Sequence, residues 1–400
     1  MRVLFLTHRL PYAPNRGDRL RAFHIARTLA PHVDLEIVSL THDADELAQI
    51  GRLEAMGARV TAVPVPRLRT YAKAMLHLAG DRPLTHLLLD APGMADTLDR
   101  IVRERPPDVV LAYCSGMARF ALQPPLSGIP LVVDLVDVDS QKWAALSQSS
   151  RWPMRWIYGR ETRCLAEFER TMAGAAAATV VVNDREFGAL RAVAPGARIA
   201  VVPNGVDLRP LIPRSAPAER PCVIFCGVMN YTPNVDGALW FCQNVWPAVR
   251  AQRPDAQLLV VGSNPAPAIR RLHSREHGID VTGTVDDVRP YLWRSAVAIA
   301  PLLTARGIQN KVLEAVGAGL PAVVSAQVME GLPAAVHPAC RVGVSAELFA
   351  EETLRLLALS ASERRQLAGT ADLSELAWES QLRPLHRLLA DSGGRDAIAV

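Results

Sequence analysis

Residues 306–321 read RGIQNKVLEAVGAGLP, a stretch that sets two cations, a carboxylate and a glycine-bearing loop close together. The apolar run 297–303, with Pro301 near its end, predicts a buried strand immediately before it. A helix is predicted from about Ile308, stopping at Gly319, Leu320 and Pro321, where glycine followed by proline terminates it. The first amides of that helix then point into the space occupied by Arg306 and Lys311. Unpaired amides at a helix start attract anions, and two neighbouring cations strengthen the pull on a diphosphate. Glu314, further along the helix, is placed to accept hydrogen bonds from two adjacent hydroxyls such as those of a ribose. The same spacing also fits a plainer arrangement, with Lys311 and Glu314 as a solvated ion pair on a helix surface. Lysine usage tilts toward the first reading, because Lys73, Lys142 and Lys311 are the only lysines among 44 basic residues. A compact charge is the physical reason to keep one in an arginine-biased chain.

The elements that must position this stretch form a regular pattern. Short β-branched runs at 3–7, 35–40, 59–63, 109–112, 131–135, 179–182 and 199–202 alternate with helical segments. The pattern restarts after Asn204 and Gly205 and a proline-rich stretch at 210–221, with strands at 223–226, 257–262, 280–282, 297–300 and 322–325. Such alternation predicts parallel sheets covered by helices on both faces. The expected organisation is two open α/β domains, 1–205 and 206–373, with a linker near 203–221 and a closing segment 374–400 whose helix spans 378–389. Ligands of such sheets bind beyond the carboxyl ends of the strands, so two facing domains would enclose a cleft. The turn at 8–17 carries no G-x-G-x-x-G, which argues against a dinucleotide-dependent oxidoreductase.

Composition agrees with this division. With 400 residues, 50% of them apolar, the chain exceeds what one core usually holds, roughly 250–300 residues. The net charge of +4 is mild, and all of it lies in the first 200 residues. No concentrated basic stripe of the kind that binds nucleic acid is present. The six cysteines are scattered, and Cys222 with Cys226 lacks a second ligand pair, so no metal site is expected. The apolar amino terminus has no signal-peptide architecture and no window approaches about 18 uninterrupted apolar residues, which predicts a cytoplasmic protein.

Three further groups of residues carry chemistry. Gly17 stands at the start of a helical stretch, where its backbone can approach a phosphate or a hydroxyl; Asp18 beside it also reads as a helix cap. Asp134, Asp137 and Asp139 bracket the end of the strand 131–135. Asp137 is the choice for a group that orients or deprotonates an incoming hydroxyl, whereas Asp139 reads as the cap of a helix from Ser140. Residues 67–82 set Arg69, Lys73 and His77 as a narrow basic stripe on an otherwise apolar helix, and residues 151–163 place Trp152, Trp156 and Tyr158 among four arginines. Both segments suit either a membrane interface or a partly buried helix with snorkelling basic ends.

These motifs carry a resemblance. The block 306–321 resembles the signature loop and helix of family four retaining glycosyltransferases, and Pro203, Asn204, Gly205, Val206 and Asp207 resemble the same family's interdomain motif. Residues 10–12 with 17–21, 134–143 and 233–236 resemble, more narrowly, sugar transferases associated with PEP-CTERM/exosortase exopolysaccharide systems. The likeness spans nearly the whole chain and implies a GT-B fold, two facing Rossmann-like domains with a carboxyl-terminal crossover helix. It implies a nucleotide-sugar donor, a growing glycan or polyprenyl-linked acceptor, peripheral contact with the cytoplasmic face of the inner membrane, and no cofactor or metal. Donor contacts are expected for Gly17, Gly227, Gly307, Ile308, Gln309, Asn310 and Glu314, with Val285 and Asp286 near the base by resemblance, while Asp137, Arg306 and Lys311 are the catalytic candidates on their own chemistry. Two departures stand out. Where the wider family carries a glutamate eight residues before Glu314, this chain has Arg306, and where many relatives carry basic residues after Gly227 it has Val228, Pro233 and Asn234. Arg306 and Lys311 are then expected to supply the charge. A sugar-nucleotide epimerase of the same fold and a non-catalytic nucleotide-sugar binder are the alternatives.

Overall fold

The computed structural model describes residues 1–12, 17–208, 211, 220–305 and 308–394, without the side chains of Asp18 and Arg67. Uninterrupted aliphatic runs have no polar face to offer water, so they become central strands covered on both sides. In the first unit these are β1 (Arg2–Thr7), β2 (Asp34–Thr41), β3 (Arg59–Pro64), β4 (Val109–Tyr113), β5 (Leu131–Val136), β6 (Ala178–Val181) and β7 (Ile199–Val201). They form one parallel sheet in the order β3-β2-β1-β4-β5-β6-β7. Alternate residues of β1 feed two cores. Val3 and Phe5 pack with Ile25 and Leu29 of the helix Gly17–Leu29, while Leu4 and Leu6 pack with Met94 and Leu98 of the helix Gly93–Glu104.

The second unit repeats the plan with β8 (Cys222–Cys226), β9 (Gln257–Val261), β10 (Ile279–Gly283), β11 (Val297–Ala300), β12 (Ala322–Val324) and β13 (Cys340–Val342), parallel in the order β10-β9-β8-β11-β12-β13. Strand β13 is the one that sequence periodicity does not reveal, because three residues at a sheet edge are too few to show a pattern. Strand order reverses between β1 and β4 in the first sheet and between β8 and β11 in the second. Those reversals open crevices at the carboxyl ends of the strands.

The chain divides into Met1–Gly205 with the segment from Trp378 onward, and Val206–Ala377. The returning segment folds as two helices, Trp378–Gln381 and Arg383–Ser392, in place of the single helix expected over 378–389. Pro384 explains the break, since it lacks a donor and its ring cannot follow the preceding turn. Trp378, Leu382, Leu385 and Leu389 are buried in the first unit's core, where the Trp378 indole stacks on His24 at 4.4 Å.

The basic stripe expected along 67–82 is also corrected. The helix spans Arg67–Leu76 and His77 is its cap, so the third stripe position falls outside it. Lys73, part-exposed, donates to Asp90, which Arg119 also holds at 2.5 Å.

Departure from the first unit is tightly packed. A Cβ on Gly205 would lie 2.4 Å from the Trp378 Cα and 2.5 Å from its nitrogen, so only glycine fits where the chain leaves. Gly205→Ala is expected to destabilise the first unit by about 1–3 kcal/mol. Calorimetry should show its transition several degrees lower; an unchanged midpoint would mean that this packing relaxes freely.

Candidate functional site

In the second unit the backbone leaving β8 sets the floor of a crevice. Gly227 donates to the Val261 carbonyl at 3.0 Å, and a Cβ on Gly262 would fall 1.6 Å from the Gly227 oxygen. The close approach holds residues 227–229 against the end of β9. The helix Thr232–Asn244 then begins with Pro233 in its first turn and buries Asn234, whose Nδ2 donates to the Val228 carbonyl at 3.0 Å.

Across from it, the helix Asn310–Gly317 follows β11. It starts two residues later than expected, because Gln309 is the extended N-cap residue, and it makes no side-chain capping bond. It stops at Gly319, whose φ of 84° is one that glycine adopts without strain. Lys311 reaches back from the first turn, Nζ donating to Asn234 Oδ1 at 2.5 Å and lying 5.3 Å from the centre of the Phe225 ring. A pocket of about 620 Å³ opens here, lined by Gly227, Val228, Tyr231, Asn234, Asn310 and Lys311 among others.

Lys311 and Glu314 are both half-buried, unlike a fully solvated ion pair on a helix surface. Burial lowers the Lys311 ammonium to about 8, opposed by Cys226 and Glu314. Burial raises the Glu314 carboxyl, which Lys311 pulls the other way, and the carboxylate makes no hydrogen bond among the described residues. Burial pushes the Cys226 thiol up to about 12, which keeps it neutral beside them. The result is a partly desolvated cation beside a helix start with no side-chain cap, an arrangement suited to a phosphate group.

Not every expected donor residue joins this pocket. Gly227, Ile308, Asn310 and Lys311 line it. Glu314 sits one turn beyond Lys311, and Gln309 is the N-cap residue. Arg306 and Gly307 lie outside the described residues. Val285 and Asp286 fall in the turn after β10, away from the pocket lining; Val285 packs on the core and Asp286 is exposed. Gly17 belongs to the first unit, where it is the first residue of its helix, and the capping expected of Asp18 lies outside the described side chains. Asn234 was not among the expected site residues. Its signal was a polar residue buried right after a proline at a helix start.

In the first unit the three aspartates at the end of β5 have separate fates. Asp134 is fully buried, taking Arg21 Nε at 2.8 Å and the Val136 amide at 3.2 Å. Asp139 does not cap its helix. Val138 holds the N-cap position, which makes Asp139 the first residue of the helix Asp139–Ser149, and its carboxylate turns inward to accept from Ser115 Oγ at 2.9 Å. Burial raises its pKa. Asp137, between them, is exposed, and its side chain has no hydrogen bond among the described residues. Carboxylates hold the loop around it, Glu186 taking the Val138 amide at 2.8 Å and Glu169 the Ser140 amide at 3.0 Å. Nearby backbone is strained, with φ of 73° at Cys114 after β4 and 67° at Val136, unusual for residues with a Cβ and typical of functional sites.

Among the described residues no group of three His, Cys, Asp or Glu side chains is placed to hold a metal ion.

Comparison with known proteins agrees with this architecture. Residues 17–205 match the glycosyl transferase 4-like domain and residues 220–358 match the glycosyl transferases group 1 family. A search of curated proteins returns no significant match. Among solved structures, Anabaena HepE in complex with UDP and glucose is 13% identical, with a TM-score of 0.57 over 98% of this chain and 100% of that one. The α,α-trehalose 6-phosphate synthase of Burkholderia multivorans is 13% identical with a TM-score of 0.59, over 98% of this chain and 99% of that chain. TarM is 9% identical with a TM-score of 0.61, over 97% of this chain and 98% of that one. The chain is therefore a GT-B glycosyltransferase of the family-four type, with a 4-like amino-terminal part and a group 1 carboxyl-terminal part.

The depressed Lys311 gives a test with a defined sign. Its folded-state value of about 8 lies below the ordinary lysine value of 10.5. Between those values the unfolded chain binds the extra proton, so this residue's contribution makes the fold more stable as pH rises from about 8 toward 10.5. Relative to Lys311→Met, the wild type should thus gain thermal midpoint over that range, and near pH 7 the apo variant should be at least as stable as the wild type. A constant difference across the range would show that Lys311 is not desolvated.

Proposed function

We propose that the protein transfers a hexose from a nucleoside diphosphate sugar to a growing lipid-linked glycan, with retention at the anomeric carbon, in exopolysaccharide synthesis of the PEP-CTERM/exosortase type. The observation that carries the donor half is the Lys311–Asn234 contact at the mouth of a pocket beside an uncapped helix start. The UDP complex of HepE supports the same reading.

As the bond between the anomeric carbon and the diphosphate breaks, negative charge grows on the leaving oxygen. Lys311, the amides of the helix Asn310–Gly317 and Arg306 stabilise that charge. Glu314 accepts from the ribose hydroxyls, with Gly227 and residues 307–310 along the phosphates and Val285 and Asp286 toward the base. The acceptor hydroxyl forms the new bond to the anomeric carbon, and Asp137 orients it or takes its proton. In this scheme side chains and amides meet the charge of the diphosphate without a metal. The epimerase alternative loses ground because both matched families are transferases.

A lipid-linked acceptor sits in a bilayer. Among the described residues no helix is long and apolar enough to cross one, so the reading includes peripheral attachment at the inner face through 67–82 and 151–163.

The test is a thermal shift with UDP, GDP, ADP and dTDP, followed by product analysis with the matching sugar donor. A nucleotide at 100 times its Kd adds about 2.7 kcal/mol, a shift of several degrees. Lys311→Met should weaken that nucleotide roughly 10- to 100-fold, the loss of a charge-assisted contact. No shift with any nucleotide would end the donor assignment, and conversion of donor without acceptor would favour the epimerase.

Asp137→Asn should lower transfer by about 100-fold or more with nucleotide affinity unchanged. A retained rate would remove Asp137 from the mechanism.

A further inference from the structure

The helix Arg67–Leu76 leaves most of its large apolar side chains exposed. Its packed side carries the buried Thr70 and Ala74, with Lys73 part-exposed at the margin and bonded to Asp90, while Leu68, Tyr71, Met75 and Leu76 are 88, 62, 70 and 85% exposed. The spacing of three, four and one places those four on a single stripe. Folding of this unit alone leaves that stripe in water, since Lys73 and Asp90 hold the polar side in place.

A second apolar patch lies at the start of the helix Met154–Ala175, where Trp152 is 83% exposed and Met154 and Trp156 also face solvent. The two patches are tied together. Arg160 donates to the carbonyls of His77, Gly80 and Arg82, the turn that leaves the first helix, and Glu161 accepts the amides of Leu84 and Thr85. Between Trp152 and Trp156 opens a groove of about 340 Å³ lined also by Arg155 and Arg163. Neither guanidinium has a hydrogen bond or ion pair among the described residues. Arg69, Arg82 and Arg151 are exposed as well, against Asp81 as the exposed carboxylate of these two segments.

Charge decides what covers this face. A second copy of the chain would bring arginines against arginines, and a nucleic acid offers phosphates but nothing for Leu68 or Leu76. An anionic bilayer offers both an acyl boundary and phosphates, and tryptophan suits the level between them.

We infer that this face docks on an anionic phospholipid surface, with Leu68, Met75, Leu76 and Trp152 entering the acyl boundary and Arg155 and Arg163 binding lipid phosphates in the groove. The inference rests on the proposed transfer to a lipid-linked glycan only for its purpose, which is to hold the enzyme at its acceptor. It specifies the residues that make the attachment.

The experiment is flotation of the whole chain with vesicles of phosphatidylcholine alone or mixed with phosphatidylglycerol, at low and high salt, beside the nucleotide thermal shift. Binding is expected to the mixed vesicles at low salt and to persist in inorganic phosphate, which supplies no acyl phase. Arg155→Gln with Arg163→Gln should weaken it roughly 25-fold, about fivefold per arginine. Met75→Ser with Leu76→Ser should weaken it more than roughly tenfold. Both variants should keep the nucleotide shift, because these residues lie outside the unit that carries the pocket. No vesicle binding alongside an intact nucleotide shift, or unchanged binding in both variants, would overturn the docking inference and leave the transferase reading in place. Vesicle binding lost with these variants but no nucleotide shift would uphold the inference and sink the donor assignment. Self-association abolished by Met75→Ser with Leu76→Ser, without vesicle binding, would overturn it in favour of a second copy.

Discussion

Arg21 is the charge around which the first unit is arranged. It is 2% exposed and donates to Asp134 at the end of β5, to Asn204 Oδ1 at 3.0 Å and to the Pro203 carbonyl at 3.2 Å. Stripping a guanidinium of water costs several kcal/mol unless its partners are fixed, so the helix Gly17–Leu29, β5 and residues 203–204 must keep one mutual geometry. Asp134 passes the constraint on, because its other oxygen takes the Val136 amide and helps hold that residue at positive φ. The chain beyond Val136 is thereby set, and Asp137 emerges toward solvent while its neighbours are engaged. The same ion pair locates the departure of the chain from this unit, one residue before Gly205 packs on Trp378.

The two units solve one problem in different ways. Each must expose reactive groups at the carboxyl ends of parallel strands while keeping the backbone there rigid. The first uses buried carboxylates as anchors: Asp134, Glu169 and Glu186 each take a main-chain amide of the loop 136–140. Burial raises Glu169 to about 7, so this anchor is itself held at some electrostatic cost. The second uses close backbone packing at Gly227 and Gly262, and a relay from Lys311 through Asn234 to the Val228 carbonyl. Rigid loops at strand ends are what lets a site act electrostatically, since its dipoles need not reorganise when charge develops.

Strands were legible because residues buried on both faces read as continuous apolar runs, and the helix stop at Gly319 was legible because glycine and proline act locally. What escaped depended on contacts distant in sequence. Lys311 and Glu314 fit two readings in the sequence, and the contact that engages Lys311 comes from Asn234, 77 residues earlier. Asp139 read as a cap until the helix began one residue sooner and turned its carboxylate to Ser115. The helix Arg67–Leu76 fitted two readings, a membrane interface or a partly buried helix, because periodicity identifies an apolar face but not what that face meets.

The helix Arg67–Leu76 and the Lys311 pocket each leave something incompletely satisfied, although Lys311 is partly desolvated while the Lys73 side chain stays 43% exposed beside Asp90. At Lys73 the ammonium has Asp90, so the unsatisfied element is the apolar stripe on the opposite side of the helix. At Lys311 the hydrogen-bond partner is a neutral amide, with Glu314 one turn further along the helix. Desolvation that lowers the Lys311 pKa also removes the water that would screen it, so an incoming phosphate meets a stronger field than at an exposed lysine. An arginine would keep its proton more firmly, yet its wide planar fork would not sit as a compact charge between the Phe225 ring and one amide oxygen. A lysine held this way costs the apo protein stability that a solvated surface ion pair would not.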